Sequence, residues 1–255
     1  MPTEARSSRL AVLIDADNTS AKIADGLFEE IAAIGEASVR RIYGDFSHPQ
    51  MKAWNDLLAR HAIVPQQQFA YVKGKNASDI TLVIDAMDLL HSGRFDGFCL
   101  VSSDSDFTRL ASRIREQGVD VYGFGERKTP ESFRQACRRF IYIENLQSKA
   151  SGEAPEAGMA ANKLGSLADV AAALRKVIGQ MENDDGWVAL GGVGTLLANA
   201  HPDFDPRNYG CKKLSDLVRK TGDFEVEQIG QSIRIRATAA ARKPSATRSK
   251  PSKPA

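Results

Sequence analysis

Cysteine and histidine are scarce in this chain of 255 residues, with three of the first and four of the second. Cys99, Cys137 and Cys211 make no CxxC pair, and His48, His61, His91 and His201 are equally scattered. That spacing argues against a thiolate–imidazole zinc site and against a disulfide framework, and it suits a reducing compartment. Long apolar runs are missing too, since nothing approaches the ~20 residues that span a bilayer. The opening MPTEARSSRL lacks the apolar core of a secretory signal, so the expectation is a cytoplasmic protein with no membrane contact. Acid is absent from the C-terminal stretch, where Arg242, Lys243, Arg248, Lys250 and Lys253 follow Thr238 without an Asp or Glu. The formal +2 of the whole chain, less those five charges, leaves −3 for the residues before them. Residues 238–255, rich in Ser, Pro and Ala, are expected to form a disordered basic tail. It serves solubility, or a weak attraction to phosphate that salt abolishes.

What is present is ordinary globular material, 42% hydrophobic and 26% charged, enough for one large domain or for a medium and a small one. From residue 10 to residue 146 strand and helix patterns alternate. LAVLIDA, residues 10–16, is a short run apolar through Ile14, as expected of a strand covered on both faces. Ser20 is placed to cap a helix whose Ile23, Leu27, Ile31 and Ile34 share one side. ASVRRIYGDF reads as the next strand, residues 50–60 as a helix, and IVPQQQFAYV as a weaker strand. The helix DITLVIDAMDLLHSG follows Ser78, then the strand GFCLVSSD, then a helix through Phe107, Leu110 and Ile114 that stops at Gly118. VDVYGFG, a helix opening at Thr129-Pro130 and the strand RFIYIENL close the series. This alternation predicts an α/β fold, a parallel sheet flanked by helices. Residues 147–162 read as a linker. Over 163–237, three helical stretches precede FEVEQIGQSIRIR, which alternates as a hairpin. That order suggests a small winged helix, with Trp187 and Phe204 in its core.

Two of the predicted strands end in acid. LIDADNTS, residues 13–20, runs from strand into Asp15, Asp17 and Asn18, and GFCLVSSDSD, residues 97–106, ends in Asp104 and Asp106. Asp79 lies in the first turn of its helix. Ligands of parallel α/β sheets gather at the carboxyl ends of strands, so the three segments are predicted to meet at one edge. Carboxylates collected so closely repel, and their pKa values rise unless a cation lies among them. Mg²⁺ or Mn²⁺, which take carboxylate oxygens and retained water, suit such a cup. Plainer roles exist for each acid alone: Ser103 or Asp104 as a helix cap, Asp79 as a favourable charge on its helix dipole. Read literally, DADNT is also DxDxT, the nucleophile motif of haloacid-dehalogenase-type phosphatases. Those enzymes need a flap after the motif, where this sequence places a helix.

LIDADN, KNASDITLVIDAMDLL and LVSSDSDFTRLASRIREQGVDVYGFG together resemble the NYN domain of the PIN-like metal-dependent ribonucleases, over residues 8–146. The resemblance implies a Rossmannoid parallel sheet with metal ligation by Asp15, Asp79, Asp104 and Asp106, accompanied by Asn18. The stretch from DGWVALGGVG through PDFDPRNYG and KLSDLV resembles an OST-HTH, or LOTUS, domain over residues 163–237. Such domains are small winged helices linked to RNA binding or protein docking. Together the two imply a metal-dependent endoribonuclease that cuts RNA phosphodiesters, with Mg²⁺ or Mn²⁺ as cofactor, RNA as partner, and a protein partner as a second use of the winged helix. Two alternatives stand beside it: a non-catalytic RNA- or protein-binding regulator on the same fold, and the DxDxT phosphatase.

Within the ribonuclease reading, Asp15, Asp79 and Asp104 hold one ion, and Asp106 holds a second or supports the first. Asn18 is expected to donate to phosphate or to a bound water. Acids alone repel a polyanion, so cations are expected nearby. Lys73 and Lys75 flank a glycine just before Asp79, and Ser102 and Ser103 are candidate phosphate contacts. In the second domain Arg207, Tyr209, Lys212 and Lys213 crowd the start of the third helix as candidate RNA contacts. Phe69 and Tyr71 read as core residues rather than base-stacking ones.

Overall fold

The computed structural model describes residues 7–68, 77–146, 165–181 and 186–238. Phe69, Tyr71, Lys73 and Lys75, the expected linker and the tail from residue 239 lie outside the described residues. The chain divides into two compact units, Met1–Asn162 with Ala198–Gly210, and Lys163–Leu197 with Cys211–Ala255.

In the first unit six strands run parallel: β1 (Arg9–Asp15), β2 (Glu36–Gly44), β3 (Val64–Gln67), β4 (Gly97–Val101), β5 (Asp120–Gly125) and β6 (Arg139–Tyr142), in the order β3-β2-β1-β4-β5-β6. Side chains alternate across a strand, so the apolar run of β1 serves two cores at once. Leu10, Val12 and Ile14 pack with Ile23, Leu27 and Trp54 on one face. Ala11 and Leu13 pack with Leu82, Ala86 and Leu110 on the other. The first face carries α1 (Ala24–Ala32) and α2 (Lys52–Leu58); the second carries α3 (Ala77–His91), α4 (Thr108–Glu116) and α5 (Glu131–Ala136). Three helices expected to start earlier open instead as a 3-10 turn, at Ala21–Ile23, Pro49–Met51 and Ser105–Phe107. Apolar spacing does not separate the tighter turn from the α-helix that continues it.

Both edges of the sheet are managed. β3 is four residues long and carries Pro65, which cannot donate to a further strand. On β6, the Phe140 N–H donates to the Pro202 carbonyl at 2.8 Å, so residues 198–210 cover that edge. Charge holds the segment there. Buried Asp203 accepts from Arg134 and, at 2.8 Å, from Tyr142 Oη, while Arg134 also donates to Tyr142 Oη at 2.7 Å. Arg207 donates to both oxygens of Glu30, at 2.8 and 3.2 Å, and to Asp205 Oδ2 at 2.6 Å. Residues 198–210 fall within the span expected for the winged helix, yet they pack with the first unit, because their acids meet arginines of α5 and β6.

The second unit holds α6 (Leu167–Ile178), α7 (Leu190–Ala200) as far as Leu197, and α8 (Leu214–Thr221), with an antiparallel sheet in the order β7-β9-β8, formed by β7 (Val188–Ala189), β8 (Phe224–Ile229) and β9 (Ser232–Ala237). A capping box between Ser166 and Asp169 starts α6. Val170, Leu174, Val193, Leu217 and Ile235 are buried. Trp187, expected in the core, is only half-buried, and Arg234 and Arg236 lie over its ring at 5.0 and 4.6 Å. The cause is the alternation of β9, which turns Ile235 inward and its arginine neighbours outward. Phe204, also expected in that core, belongs to the first unit and packs against Tyr209 at 6.2 Å. Among the described residues no helix is long and apolar enough to cross a membrane.

Candidate active site

β1 and β4 are neighbours in the sheet although β2 and β3 separate them in sequence. The strand order therefore reverses between them, and in an open parallel sheet the crevice for a ligand opens at the carboxyl ends of the two strands flanking that reversal. β1 runs out at Asp15 and β4 at Val101, with Ser102 to Asp106 following. The two acidic strings of the sequence thus finish side by side.

Asp15 is 1% exposed. Its Oδ2 accepts from Ser102 Oγ at 2.7 Å and from Asn18 Nδ2 at 2.9 Å, and its Oδ1 accepts from the Asn18 N–H at 3.3 Å. Burial pushes this carboxyl up, the Ser102 and Asn18 donors pull it down, and the neighbouring Asp17 raises it again. Ser102 Oγ also accepts from the Asp104 N–H at 3.0 Å. Ser102 was expected to contact phosphate and Asn18 to donate to phosphate or a bound water; here both donate to Asp15. A buried carboxylate needs donors, and these are the ones beside it. Ser103 Oγ is likewise engaged, accepting from the Glu126 N–H at 2.8 Å.

Asp104 Oδ1 accepts from the Asp106 N–H at 2.9 Å and caps the turn that leads into α4. The capping role is real, and a carboxylate offers about four lone-pair sites, so capping leaves capacity for a ligand. Asp79, in the first turn of α3, is pushed up to about 6, by burial first and then by Asp15, Asp104, Asp17 and Asp106. Carboxylates from the β1 and β4 loops therefore act on a carboxylate of α3. Asp17 was not among the candidate ligands. It accepts from Ser78 Oγ at 2.9 Å and so pins the β1 loop to the start of α3. It lies beyond the end of β1 and is exposed, whereas Asp15 is the buried last residue of the strand.

The remaining candidates divide between the units. Arg207, engaged by Glu30 and Asp205, and Tyr209 belong to the first unit; Lys212 and Lys213 belong to the second, where both are exposed and Lys213 immediately precedes α8.

The donor set is carboxylate oxygen, the kind a hard divalent ion takes. Among the described residues no three His, Cys, Asp or Glu side chains are arranged to hold an ion as they stand. Mg²⁺ generally keeps several waters and takes one or two carboxylates together with phosphate oxygens, so it does not require three carboxylates already in place. Replacing Ser102 by alanine removes a donor to Asp15 and the tie to the Asp104 backbone.

A parallel α/β sheet with acids gathered at its reversal point, joined to a small unit of three helices and an antiparallel sheet, defines a nuclease-like protein of the PIN-like class with an RNA-associated module. The chain belongs to the NYN domain family, whose model matches residues 9–144. An OST-HTH/LOTUS domain model matches residues 165–235. Among solved structures, a protein of unknown function from Vibrio parahaemolyticus is similar at 19% identity and a TM-score of 0.46, over 56% of this chain and 96% of that one. No curated protein matches.

Proposed function

We propose that the protein is a metal-dependent endoribonuclease of the cytoplasm, with Mg²⁺ or Mn²⁺ held by Asp15, Asp79 and Asp104 and supported by Asp106. The observation that carries this reading is that β1 and β4 end side by side while the Asp17–Ser78 bond ties the start of α3 to the β1 loop; the Asp79 carboxyl is raised by burial and by Asp15, Asp104, Asp17 and Asp106. Asp104 also caps its turn, but carboxylates brought together without a cation repel one another. A bound ion supplies Lewis-acid activation of a water nucleophile and neutralises charge on the phosphate. Ser102 and Asn18 fix the orientation of Asp15. Asp17, bonded to Ser78, sets the start of α3 and with it the place of Asp79. The Ser103 hydroxyl and Lys73 and Lys75, which immediately precede α3 in sequence, are assigned to the RNA backbone. Lys212 and Lys213 are assigned to RNA on the second unit, which also offers a surface for a protein partner. Arg207 is assigned to its ion pairs with Glu30 and Asp205. The phosphatase alternative is disfavoured because a helical turn starts at Ala21, directly after DADNTS, where a flap would be needed.

Incubating the protein with end-labelled single-stranded RNA in Mg²⁺, Mn²⁺ or EDTA tests the proposal. Internal cuts that need metal and disappear in Asp104→Asn are expected. No metal-dependent product, with RNA bound equally by Asp104→Asn and the parent, would make the protein a non-catalytic binder. Hydrolysis of a small phosphomonoester, lost in Asp15→Asn, would make it a phosphatase.

The pH dependence follows from Asp79. Protons compete with the ion for its carboxylate, so cleavage at subsaturating Mg²⁺ is expected to fall as the pH drops below about 6, and added Mn²⁺ is expected to restore it. In metal-free buffer the effect on stability has the opposite sense. A carboxyl raised in the folded state stabilises fully below its ordinary value and loses that contribution as the pH rises through about 6. Asp79→Asn is therefore expected to melt above the parent at neutral pH in EDTA, with the gap closing near pH ~4. Asp79 is partly exposed, so solvent screening limits the gain to on the order of 1 kcal/mol. A lower melting temperature for Asp79→Asn at neutral pH would contradict this.

A further inference from the structure

Beside the carboxylate cup lies a groove with a volume of about 490 Å³, a size that takes one nucleotide-sized ligand. Its floor is apolar and buried: Ala16, Met51 and Trp54 are 5%, 3% and 2% exposed. Its rim is polar, with Asp17, Lys22, Gln50 and Lys128 all exposed. The floor is tied to the same strands as the cup. Trp54 Nε1 donates to the Thr19 carbonyl at 3.0 Å, and Thr19 Oγ1 donates to the Val101 carbonyl at the end of β4 at 3.4 Å. Groove and cup share Asp17 and the loop that follows β1, so a chain whose phosphodiester rests at the cup has its next residue at the groove.

An apolar floor, a side-chain amide and two ammonium groups within one cavity match the three parts of a nucleotide: a flat base, its polar edge and its phosphate. We propose that this groove binds the ribonucleotide adjoining the phosphodiester at the cup. The base lies over Ala16 and Met51, its edge meets the Gln50 amide, and its phosphate lies toward Lys22 and Lys128. Lys128 is held at the rim by Glu126 at 2.8 Å. The assignment of the neighbouring phosphodiester rests on the ribonuclease reading; the binding of a nucleotide in the groove does not.

The test uses the full chain in EDTA, where nothing is cut, with a short fluorescein-labelled single-stranded RNA followed by anisotropy over a salt series. Lys22→Ala is expected to make the slope of log K against log salt shallower by about 0.7, the loss of one phosphate contact on a single strand. Gln50→Ala is expected to weaken binding about tenfold at fixed salt, as when a base-edge contact is removed, without changing the slope. Ala53→Phe places a ring in the groove from the exposed face of α2 and is expected to weaken binding at least as much. Arg94→Ala, in the loop before β4 at the opposite end of the sheet, is expected to bind as the parent does. Parental affinity and slope in all three groove variants would overturn the subsite, whether or not the protein cuts RNA. Weakened binding in those variants of a protein that cuts no RNA would keep the subsite and remove the ribonuclease reading.

Discussion

Asp15→Asn is expected to lower metal-dependent RNA cleavage by more than about 100-fold, because loss of a ligand should exceed the 10- to 100-fold lost when only its orienting partners go. The substitution is nearly isosteric. Its amide oxygen can still accept from Ser102 Oγ, which donates to Asp15 at 2.7 Å in the parent. Its amide nitrogen cannot accept from Asn18, so one hydrogen bond is lost while a buried negative charge is removed. Those two changes oppose each other in stability, since burial alone already pushes the Asp15 carboxyl up. The fold is therefore expected to survive where the activity does not. Single-turnover cleavage at saturating Mg²⁺, paired with a melting curve in EDTA, separates the two. A rate within tenfold of the parent would show that Asp15 holds no ion the reaction needs.

Asp203→Asn is expected to destabilise the first unit by about 3 kcal/mol. Breaking a buried ion pair costs about 3–5 kcal/mol because the surviving charge stays buried without its partner. Arg134 and Asp203 have side chains 11% and 8% exposed, and Tyr142 Oη bonds to both. Asparagine can keep one hydrogen bond but leaves the guanidinium unpaired. Urea unfolding followed at the first unit checks this, and a loss under about 1 kcal/mol would contradict it. The same contacts bear on shortened chains. A fragment ending at residue 162 lacks Asp203, Asp205 and Arg207, which pair with Arg134, Arg139 and Glu30, and uncovers the Phe140 N–H on the edge of β6. Its activity would report the loss of that segment along with the loss of the second unit.

The parallel sheet was legible because each strand announced itself. LAVLI and GFCLV are apolar at every position, which only a strand buried on both faces requires, and Gly93 and Gly118, both at positive φ, mark where the helices before the next strands stop. The meeting of the two acidic strand ends was legible for a different reason: strand order places the ends of β1 and β4 together, whatever the loops do. Hydrogen-bond direction was not. Nothing in SSDSD says that Ser102 serves Asp15 rather than a phosphate, since the choice depends on how deeply Asp15 is buried. Arg207 was misleading for a similar reason. Beside Lys212 and Lys213 it reads as one basic cluster, yet its partner Glu30 lies 177 residues away in the chain, a distance that local pattern cannot bridge. The groove lined by Lys22, Gln50 and Lys128 left no mark either, because three separate segments of the chain contribute to it.

The gathering of Asp15, Asp79 and Asp104 around one divalent ion is tested most directly by soaking crystals in Mn²⁺ and recording its anomalous scattering. A peak at the carboxyl ends of β1 and β4, within about 2.5 Å of a carboxylate oxygen of Asp15 or Asp104 and lost in the Asp104→Asn crystal, is the expected result. A crevice without Mn²⁺ at saturating concentration, or an ion bound only elsewhere on the chain, would contradict the account.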